Sequence, residues 1–473
     1  MNISVIGAGY VGLVSAACFA ELGHTVIGVD NDPAKLLALE EGRVPIHESL
    51  LPELLQRHLG QRLTFTGSIA RAVRASDVIF ITVGTPSSAN GDADLCYVEA
   101  VIREVARHIT SKKLIVEKST VPVRTCDSIR RTMELNGAPP HLFSVASNPE
   151  FLREGTAVTD FLYPDRIVAG VDDAFSEEML RQIYAPLWEG SYYRREDLVP
   201  ADESTLPRFI VTNTKSAELI KHTSNAFLAM KISFMNAIAN IAERVGGDID
   251  QIKEGVGSDS RIGANFLNAG IGYGGSCFPK DVLAFRAVAR DAGYEFDLLD
   301  SVMRINQDQR NQFLRKVREA LWTLRDKRIA VLGLAFKAGT DDIRESPAIE
   351  IVKALIKEGC MITAFDPAAM PRALDEIQTR AGEGSIEMAT DAYSAAENAD
   401  AVLILTEWSE FANLDLRKLR NKMRLPVIID GRNLYRPEDM EVAGFVYHSI
   451  GRAPVFPAER INPTLELVFE EIA

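Results

Sequence analysis

One short segment of the sequence combines a thiol, an ammonium group and a carboxylate. Residues 274–281 read Gly-Gly-Ser-Cys-Phe-Pro-Lys-Asp. Pro279 suits the first turn of a helix, so the sequence predicts that Cys277 lies at a helix N-terminus with Lys280 nearby. A positive field of this kind favours the thiolate, which is the nucleophilic form of cysteine. The alternative is that Cys277 is a small buried hydrophobic residue, and the rest of the chain has to decide between the two.

The N-terminal stretch carries a glycine fingerprint between two strand patterns. Apolar Ile3–Ile6 runs into Gly7–Gly12, which reads Gly-Ala-Gly-Tyr-Val-Gly, and a helical pattern follows over 13–22. The next strand pattern, Thr25–Val29, ends in Asp30. Such glycines let the backbone approach a pyrophosphate at a helix N-terminus, and an acidic residue about 20 positions further on binds the ribose hydroxyls. Because Asp30 favours NAD over NADP, we predict an NAD site rather than a turn without a ligand.

Three further apolar strand patterns deliver polar residues at their carboxyl ends, where open α/β sheets bind ligands. The strands are predicted over 77–83, 114–117 and 143–146, and they are followed by Thr85, by Thr120 and by the segment Asn148–Gly155. Glu150 and Glu154 in that segment are four residues apart and would share one face if their loop were helical. The alternative for them is a solvated acidic pair.

The longest helical pattern runs over Thr214–Arg244, with apolar residues at three- and four-residue spacing. Lys221 and Asn225 share one face of this helix, although a lysine on a helix is usually only solvated. The preceding segment, Arg194–Pro207, is charged and interrupted by proline, which predicts an exposed loop or insertion. Another helix is predicted over Ser301–Leu324.

The pattern of the N-terminal region returns in the C-terminal part of the chain. Residues 329–333 correspond to 3–7, residues 359–366 to 23–30, and residues 399–404 to 76–81. This repetition indicates an α/β protein with two doubly wound, Rossmann-like domains, joined by the long central helix and a helical middle domain. We predict domain bounds of 1–212, 213–324 and 325–473, with Cys277 on the middle domain.

The second copy lacks the tight glycine fingerprint and offers basic residues instead. Lys337 and Arg344 lie on the loop after its first strand pattern, and Arg432 follows the strand pattern Val427–Ile429. Basic groups at the carboxyl ends of strands suit a second, phosphate-bearing ligand. The alternative is ordinary surface charge on loops.

Composition argues against several classes of protein. The 473 residues are 47% hydrophobic and 25% charged, which is typical of a globular protein. A net charge of −14 argues against non-specific nucleic-acid binding, and no apolar run approaches the ~20 residues that span a bilayer. The five cysteines are scattered and form neither a zinc pattern nor a disulfide framework, so we expect no metal site and a cytoplasmic location.

Three motifs together resemble the UDP-glucose/GDP-mannose dehydrogenase family, over nearly the whole chain. They are Gly7–Leu13, Asn148–Gly155 and Gly274–Asp281. Residues 259–263, followed by 272–275, resemble the UDP-glucose branch more than the GDP-mannose or N-acetylated-sugar branches. The resemblance implies NAD-dependent oxidation of UDP-glucose at C6 to UDP-glucuronate. The charged segment before the long helix is longer than the family leads us to expect, which affects loop geometry and assembly contacts rather than chemistry.

The resemblance also implies why a thiol is needed. Oxidation beyond the aldehyde requires a carbon that can give up a second hydride, and a thiohemiacetal on Cys277 provides one before it becomes a thioester that water hydrolyses. Lys221 would stabilise the oxyanions, with Asn225 positioning the same centre. Asp281 would hold the hydrolytic water with Thr120. Either Glu154 or Glu150 would act as the base, and the sequence leaves that choice open.

Other positions match the family's binding residues. Those for NAD are Gly7, Gly9, Tyr10, Val11, Gly12, Asp30, Lys35, Thr85, Thr120, Glu154, Lys280 and Arg344. Those for the UDP-sugar are Glu150, Phe151, Leu152, Lys221, Asn225, Arg261, Phe266, Gly274, Lys337 and Arg432. The resemblance implies that domain 1–212 binds NAD and that domain 325–473 binds the UDP-sugar. It further implies a homodimer, or a larger assembly of dimers, in which Arg261 reaches the substrate of the neighbouring subunit.

Three alternatives remain at this point. The same chemistry could act on another nucleotide sugar, either GDP-mannose or a UDP-N-acetylhexosamine. A two-electron sugar dehydrogenase would leave Cys277 with a structural role only. A non-catalytic NAD- or nucleotide-sensing protein is the third alternative, and the presence of Lys221, Asp281 and Cys277 together argues against it.

Overall fold

The computed structural model describes residues 1–86, 88, 91–195, 206–377 and 383–457. The chain forms two compact units, each assembled from separate stretches of sequence. The first unit contains Met1–Asn225 and Lys280–Glu295, and the second contains Ala226–Pro279 and the residues from Phe296 onward. The three predicted domain bounds stay a prediction.

The first unit is built on an eight-stranded sheet. Its strands are β1 (Asn2–Ile6), β2 (Thr25–Val29), β3 (Leu63–Thr66), β4 (Val78–Ile81), β5 (Lys113–Glu117), β6 (Phe143–Ser147), β7 (Arg166–Gly170) and β8 (Arg208–Thr212). Their spatial order is β3-β2-β1-β4-β5-β6-β7-β8. All neighbouring strands are parallel except β6 and β7, which meet in an antiparallel pair at Ser147 and Gly170.

Helices cover both faces of this sheet, which is why its central strands are apolar throughout. The helices are α1 (Tyr10–Glu21), α2 (Pro33–Glu40), α3 (Leu51–His58), α4 (Ile69–Ala75), α5 (Cys96–His108), α6 (Thr125–Leu135), α7 (Ala157–Leu162) and α8 (Ala174–Trp188). Val78 and Phe80 of β4 pack with α1 and α8 on one face, whereas Ile79 and Ile81 pack with α5 on the other. This alternation follows from the two-residue period of a strand.

Four helices lie between the two sheets in the sequence. They are α9 (Thr214–Val245), α10 (Ile249–Gly257), α11 (Phe278–Asp291) and α12 (Asp297–Leu321). The predicted long helix is confirmed as α9, and the boundary between the two units falls inside it, after Asn225. The prediction for α12 was wrong at both ends, since this helix begins at Asp297 and stops before Trp322, whose φ of +61° is incompatible with a continuing right-handed helix.

The second unit contains a six-stranded parallel sheet with the order β11-β10-β9-β12-β13-β14. The strands are β9 (Arg328–Leu332), β10 (Met361–Phe365), β11 (Ser385–Met388), β12 (Ala401–Ile404), β13 (Val427–Asp430) and β14 (Val446–His448). The helices after α12 are α13 (Pro347–Lys357), α14 (Met370–Glu376), α15 (Ala392–Ala395), α16 (Ser409–Ala412), α17 (Leu416–Lys422) and α18 (Pro437–Val442). Both sheets share the 3-2-1-4-5-6 strand order of a doubly wound fold, which confirms the predicted fold class.

The exposed loop or insertion was predicted over Arg194–Pro207. Most of it, residues 196–205, lies outside the described residues. Among the residues that are described, no helix combines the length and the apolar character that crossing a membrane would require.

Candidate active site

The turn between β1 and α1 has the backbone that a pyrophosphate needs. Gly7 has a φ of +106°, and a Cβ there would lie 2.7 Å from the Thr82 carbonyl oxygen. The sequence predicted a helix from Leu13, but α1 begins at Tyr10 and includes Gly12. A Cβ on Gly12 would lie 1.8 Å from the Gly7 carbonyl oxygen, so only glycine allows the helix to start this close to the turn. No described atom lies within 4 Å of a Cβ built on Gly9. The turn is therefore tight on the protein side and open beside Gly9, so these residues fit a dinucleotide.

Asp30 supplies an anionic acceptor at the end of β2. Its Oδ2 accepts hydrogen bonds from the Ala8 N–H at 2.9 Å and from Lys35 Nζ at 2.8 Å, and its Oδ1 accepts one from the Asp32 N–H at 3.0 Å. Burial opposes ionisation of this carboxyl, but the hydrogen bonds from Lys35 and Asp32 outweigh it and lower the pKa of Asp30. A carboxylate in this position fits the ribose hydroxyls of NAD.

The corresponding aspartate of the second unit is used differently. Asp366, at the end of β10, accepts hydrogen bonds from the N–H groups of Leu334 and Ala335 at 2.7 and 3.0 Å, and from Trp408 Nε1 at 3.2 Å. Its side chain thus serves to hold the loop after β9. The repeat in the sequence reflects a common architecture. The two carboxylates differ in exposure, since Asp366 is fully buried and Asp30 is 9% exposed.

A buried ion pair joins the loop after β6 to α9. Lys221 Nζ lies 2.9 Å from Glu150 Oε1, and both side chains are 5% exposed. The Leu152 N–H donates a hydrogen bond of 2.5 Å to Glu150 Oε2, and Lys221 Nζ lies 5.4 Å from the centre of the Phe151 ring. The structure therefore excludes the solvated alternative for both Lys221 and Glu150. A carboxylate and an ammonium group in contact in a dry environment can exchange protons with a substrate hydroxyl.

The start of α11 brings several predicted residues together. Asp281 is 1% exposed, and its Oδ2 accepts a hydrogen bond of 2.6 Å from Asn225 Nδ2. Lys280 Nζ lies 3.4 Å from Asp281 Oδ1 and donates a hydrogen bond of 3.0 Å to Thr85 Oγ1. Thr85 Oγ1 in turn donates to the Thr120 carbonyl oxygen at 3.0 Å. The carboxyl ends of β4 and β5 are thus joined to α9 and α11 within the first unit.

The expectation that Glu150 and Glu154 share a helix face was wrong. The segment 148–155 forms no helix, because Pro149 cannot donate a backbone hydrogen bond and Gly155 has a φ of +85°. The Gly155 N–H instead donates to Glu48 Oε2 at 2.7 Å, and Glu48 also accepts a hydrogen bond from the Tyr10 hydroxyl. Glu48, which is 4% exposed, was missed by sequence reasoning because it is a lone acid in a loop with no informative spacing.

Cys277 lies immediately before α11, as the sequence predicted, and belongs to the second unit. It forms no disulfide and is of intermediate exposure, and its Sγ lies 3.5 Å from Ser276 Oγ. The glycines before it pack on the loop after β9, where a Cβ on Gly274 would lie 2.1 Å from the Glu345 carbonyl oxygen. Only residues without a side chain allow this approach. The local fold therefore fixes the segment that leads into Cys277, which itself stays partly exposed.

The basic residues predicted for the second ligand all lie in the second unit. Arg432 is 14% exposed and donates from Nε to the Leu405 carbonyl oxygen at 2.8 Å and from Nη2 to the Phe336 carbonyl oxygen at 2.9 Å. It thus contacts the residue next to Lys337. Arg344, on the same loop, is 62% exposed and pairs with Asp342 at 2.7 Å.

The two remaining predicted substrate residues of this unit precede Cys277 in the sequence. Arg261 is 87% exposed and pairs with Asp259 at 2.6 Å. Phe266 has a φ of +64°, and its ring centre lies 6.4 Å from that of Phe278.

Comparison with known proteins identifies the family. Three models of one family match the chain in order: its NAD binding domain over residues 1–188, its central domain over 215–308 and its UDP binding domain over 330–437. The chain belongs to the UDP-glucose/GDP-mannose dehydrogenase family. The NAD binding domain of the family includes the open turn at Gly9 and the carboxylate of Asp30, whose geometry fits the cofactor. This member of the family is therefore an NAD-dependent oxidoreductase, as predicted.

Individual members of the family resemble the whole chain. UDP-glucose 6-dehydrogenase TuaD of Bacillus subtilis (strain 168) is 45% identical over 480 residues, which cover 100% of this chain and 98% of the relative. UDP-glucose 6-dehydrogenase of Rhizobium meliloti (strain 1021) is 45% identical over 458 residues, 96% of this chain and 100% of the relative. A solved UDP-glucose dehydrogenase from Pyrobaculum islandicum superposes with a TM-score of 0.85 at 38% identity, covering 96% of this chain and 98% of that one.

Proposed function

We propose that this chain oxidises UDP-glucose at C6 to UDP-glucuronate in two successive NAD-dependent steps. Relatives named UDP-glucose 6-dehydrogenase match nearly its whole length at 45% identity. The observation that carries the four-electron reaction is Cys277, a partly exposed cysteine outside any disulfide and directly before α11. A two-electron dehydrogenase has no need of such a group.

The first oxidation needs a base for the substrate hydroxyl. Glu150 fits this role better than Glu154 because its carboxylate is buried against the Lys221 ammonium at 2.9 Å. Glu150 accepts the C6 hydroxyl proton, while Lys221 stabilises negative charge on the C6 oxygen. NAD, which the Gly7–Gly12 turn and Asp30 would hold, would supply the hydride acceptor, one molecule for each of the two oxidations. We assign Glu154 to the cofactor side of the same loop.

The second oxidation uses the thiol. The Cys277 thiolate adds to the C6 aldehyde carbon and forms a thiohemiacetal, whose oxygen is stabilised by Lys221 and positioned by Asn225. Loss of the C6 hydride from the oxyanion form of this adduct, with NAD as the hydride acceptor, breaks the C6–H bond and leaves a thioester on Cys277.

Hydrolysis completes the reaction. Asp281 and Thr120 hold the water that attacks the thioester carbonyl. Glu150, which has passed the proton of the first oxidation to solvent, accepts the proton of this water. The C–S bond breaks, so that the Cys277 thiolate is regenerated and the C6 carboxylate is released. The fixed orientation of Asp281, which accepts a 2.6 Å hydrogen bond from Asn225, supports this role.

The UDP part of the substrate belongs to the second unit. The family's UDP binding domain covers residues 330–437, which include Lys337 and Arg432. Phe151, Leu152, Phe266 and Gly274 complete the proposed set of contacts to the nucleotide sugar.

The assembly we propose is a homodimer, or a larger assembly of dimers, formed through α9. Three apolar side chains of this helix, Phe227, Phe234 and Ile241, recur every seven residues and are 56%, 56% and 55% exposed. An apolar stripe of this kind on one helix face is typical of a subunit interface. Arg261, whose side chain is 87% exposed, is then free to reach the substrate of the neighbouring subunit. We expect the assembly to work in the cytoplasm.

The experiment that tests the function counts NADH per sugar. The purified chain is incubated with NAD and, in turn, UDP-glucose, UDP-N-acetylglucosamine and GDP-mannose. Two NADH per UDP-glucose consumed are expected, with much slower turnover of the others. One NADH per sugar would contradict the thioester route, and a faster reaction with another sugar would reassign the substrate. Cys277→Ser should abolish steady turnover, with Cys96→Ser as the matched control for an exposed thiol elsewhere.

A further inference from the structure

Lys118, which directly follows β5, is a buried ammonium group that the proposed reaction does not use. It is 4% exposed. Its Nζ donates to Asn148 Oδ1 at 3.1 Å, and to the Asn148 carbonyl oxygen and the Tyr184 hydroxyl at 3.4 Å each. All three acceptors are neutral, and in the part of the chain that the structure describes no carboxylate lies within ion-pair distance of it. A buried cation without a direct counter-ion is costly, so a role beyond packing has to explain it.

The neutral partner of Lys118 is held rigidly. Asn148 Oδ1 also accepts a hydrogen bond of 2.6 Å from the Tyr184 hydroxyl, and Asn148 Nδ2 donates to the Val168 carbonyl oxygen at 2.8 Å. The backbone N–H of Asn148 donates to the Glu117 carbonyl oxygen at 2.9 Å. Both polar atoms of the Asn148 side chain and its backbone N–H therefore have partners. Since Glu150 lies only two residues further on, Lys118 fixes the backbone from which Glu150 projects.

Charges on two other elements act on the Lys118 ammonium. They are Glu150 on the loop after β6 and Lys221 on α9, whereas Cys18 of α1 and Tyr184 of α8 are neutral because burial raises the pKa of both. Burial lowers the pKa of Lys118 to about 8; Glu150 opposes this shift, and Lys221 adds to it. Lys118 is thus still largely protonated at neutral pH, and its interaction with Glu150 is attractive.

We propose that Lys118 is a positioning residue for the reaction: its buried ammonium fixes the turn before Glu150 and favours the carboxylate form of that side chain. The proposal rests on the proposed function, because it takes Glu150 as the base. Lys118 and Lys221 then act on Glu150 from two sides, Lys221 by direct contact and Lys118 through Asn148 and through its charge.

The test separates the charge of Lys118 from its hydrogen bonds. Lys118→Met removes both, Lys118→Gln keeps a donor for Asn148 without the charge, and Tyr184→Phe removes a hydrogen bond to the same Asn148 oxygen without changing any charge. The pH dependence of kcat is measured for all of them. Loss of the positive charge makes the carboxylate form of Glu150 less favourable. The fall of kcat on the acidic side of the pH profile should therefore move to higher pH by about one unit in both lysine variants. It should stay at the same pH in Tyr184→Phe.

Two results would overturn the proposal. One is an acid limb that is unmoved in Lys118→Gln, and the other is an equal shift in Tyr184→Phe, which would indicate a purely structural network. KM for NAD should change less than about threefold in all variants, because the Asp30 site is untouched. The variants are compared with whichever nucleotide sugar gives NADH. A different substrate, or one NADH per sugar, would refute the proposed function. The effect of Lys118 on the pH dependence of kcat could still be measured in that case.

Discussion

Asn225 donates a hydrogen bond from Nδ2 to Oδ2 of Asp281 over 2.6 Å. The two side chains are 6% and 1% exposed, so water does not compete for this contact. The bond joins α9 to α11 and fixes one carboxylate oxygen of Asp281. Asn225 is therefore a candidate for orienting Asp281, the group that we propose holds the hydrolytic water.

Asn225→Ala should lower kcat by about 100-fold, because the oriented donor is lost near a site of developing charge. KM for NAD should stay within about threefold of its original value. Steady-state kinetics with UDP-glucose measures both. Ser224→Ala, at the neighbouring position of α9, is the control and should keep normal activity. An Asn225→Ala enzyme with more than half of the original kcat would remove this residue from the mechanism.

Asp30→Ala should raise KM for NAD by about 10- to 100-fold, since a charge-assisted hydrogen bond to a ribose contributes about 1.5–3 kcal/mol. The pKa of Asp30 is lowered by its hydrogen bonds from Lys35 and Asp32 despite burial, so the carboxylate is present throughout the neutral range. KM for NAD should therefore be insensitive to pH between about 6 and 8. Glu40→Ala, an exposed acid on α2, serves as the control. An unchanged KM in Asp30→Ala would place the ribose elsewhere.

We expect Glu117 to make the chain less stable as pH rises. This residue is fully buried, and its Oε2 has no hydrogen-bond partner among the described residues. Burial raises the pKa of Glu117 to about 8 from an ordinary 4.5. Between these two values the unfolded chain has lost the proton while the folded chain keeps it. The free energy of unfolding should thus fall as pH rises from about 5 to about 8, on the order of a few kcal/mol from this group.

Urea denaturation at several pH values measures this effect. Glu117→Gln has no proton to lose, so its free energy of unfolding should fall less over the same range. Glu99→Gln changes an exposed acid on α5 and should follow the unmodified chain. If the free energy of unfolding depends on pH in the same way in the unmodified chain and in Glu117→Gln, Glu117 is ionised in the folded state and the prediction is wrong.

Phe234→Arg should dissociate the proposed dimer, because it places a charge in the middle of the apolar stripe on α9. Light scattering coupled to size exclusion should report the monomer mass. Leu374→Arg on α14 is the control, since Leu374 is similarly exposed, at 51%, but lies outside the stripe. If Phe234→Arg keeps the original mass, the stripe is not the interface.

The sequence predicted the fold well because its signals were local and repeated. The same pattern, an apolar strand followed by a glycine, occurs at Ile3–Gly7 and at Ile329–Gly333. It marks the equivalent strands β1 and β9, and both sheets have the strand order expected from that repetition. Helix ends were less predictable. The end of α12 depends on the positive φ of Trp322, which no apolar spacing reveals.

The candidate site was predictable only where residues belonged to a pattern. Asp30 follows a strand at a fixed distance from a glycine fingerprint, and Lys221 and Asn225 share a helix face. Glu48 and Lys118 belong to no spacing, and their importance appears only from burial and from partners more than 25 residues away in the chain. For such residues the tertiary structure carries the information.

The first unit needs Lys280–Glu295 in addition to Met1–Asn225, and this has a consequence for synthesis on the ribosome. N-terminal parts of a chain generally fold first as they emerge. Here the N-terminal sheet can form early, but Asn225 has no Asp281 to bind until residues of α11 have left the exit tunnel. By then Ala226–Pro279, which belongs to the other unit, has already been made. A ribosome stalled before α11 should therefore hold a nascent chain with a formed sheet in which the candidate active site still lacks Asp281.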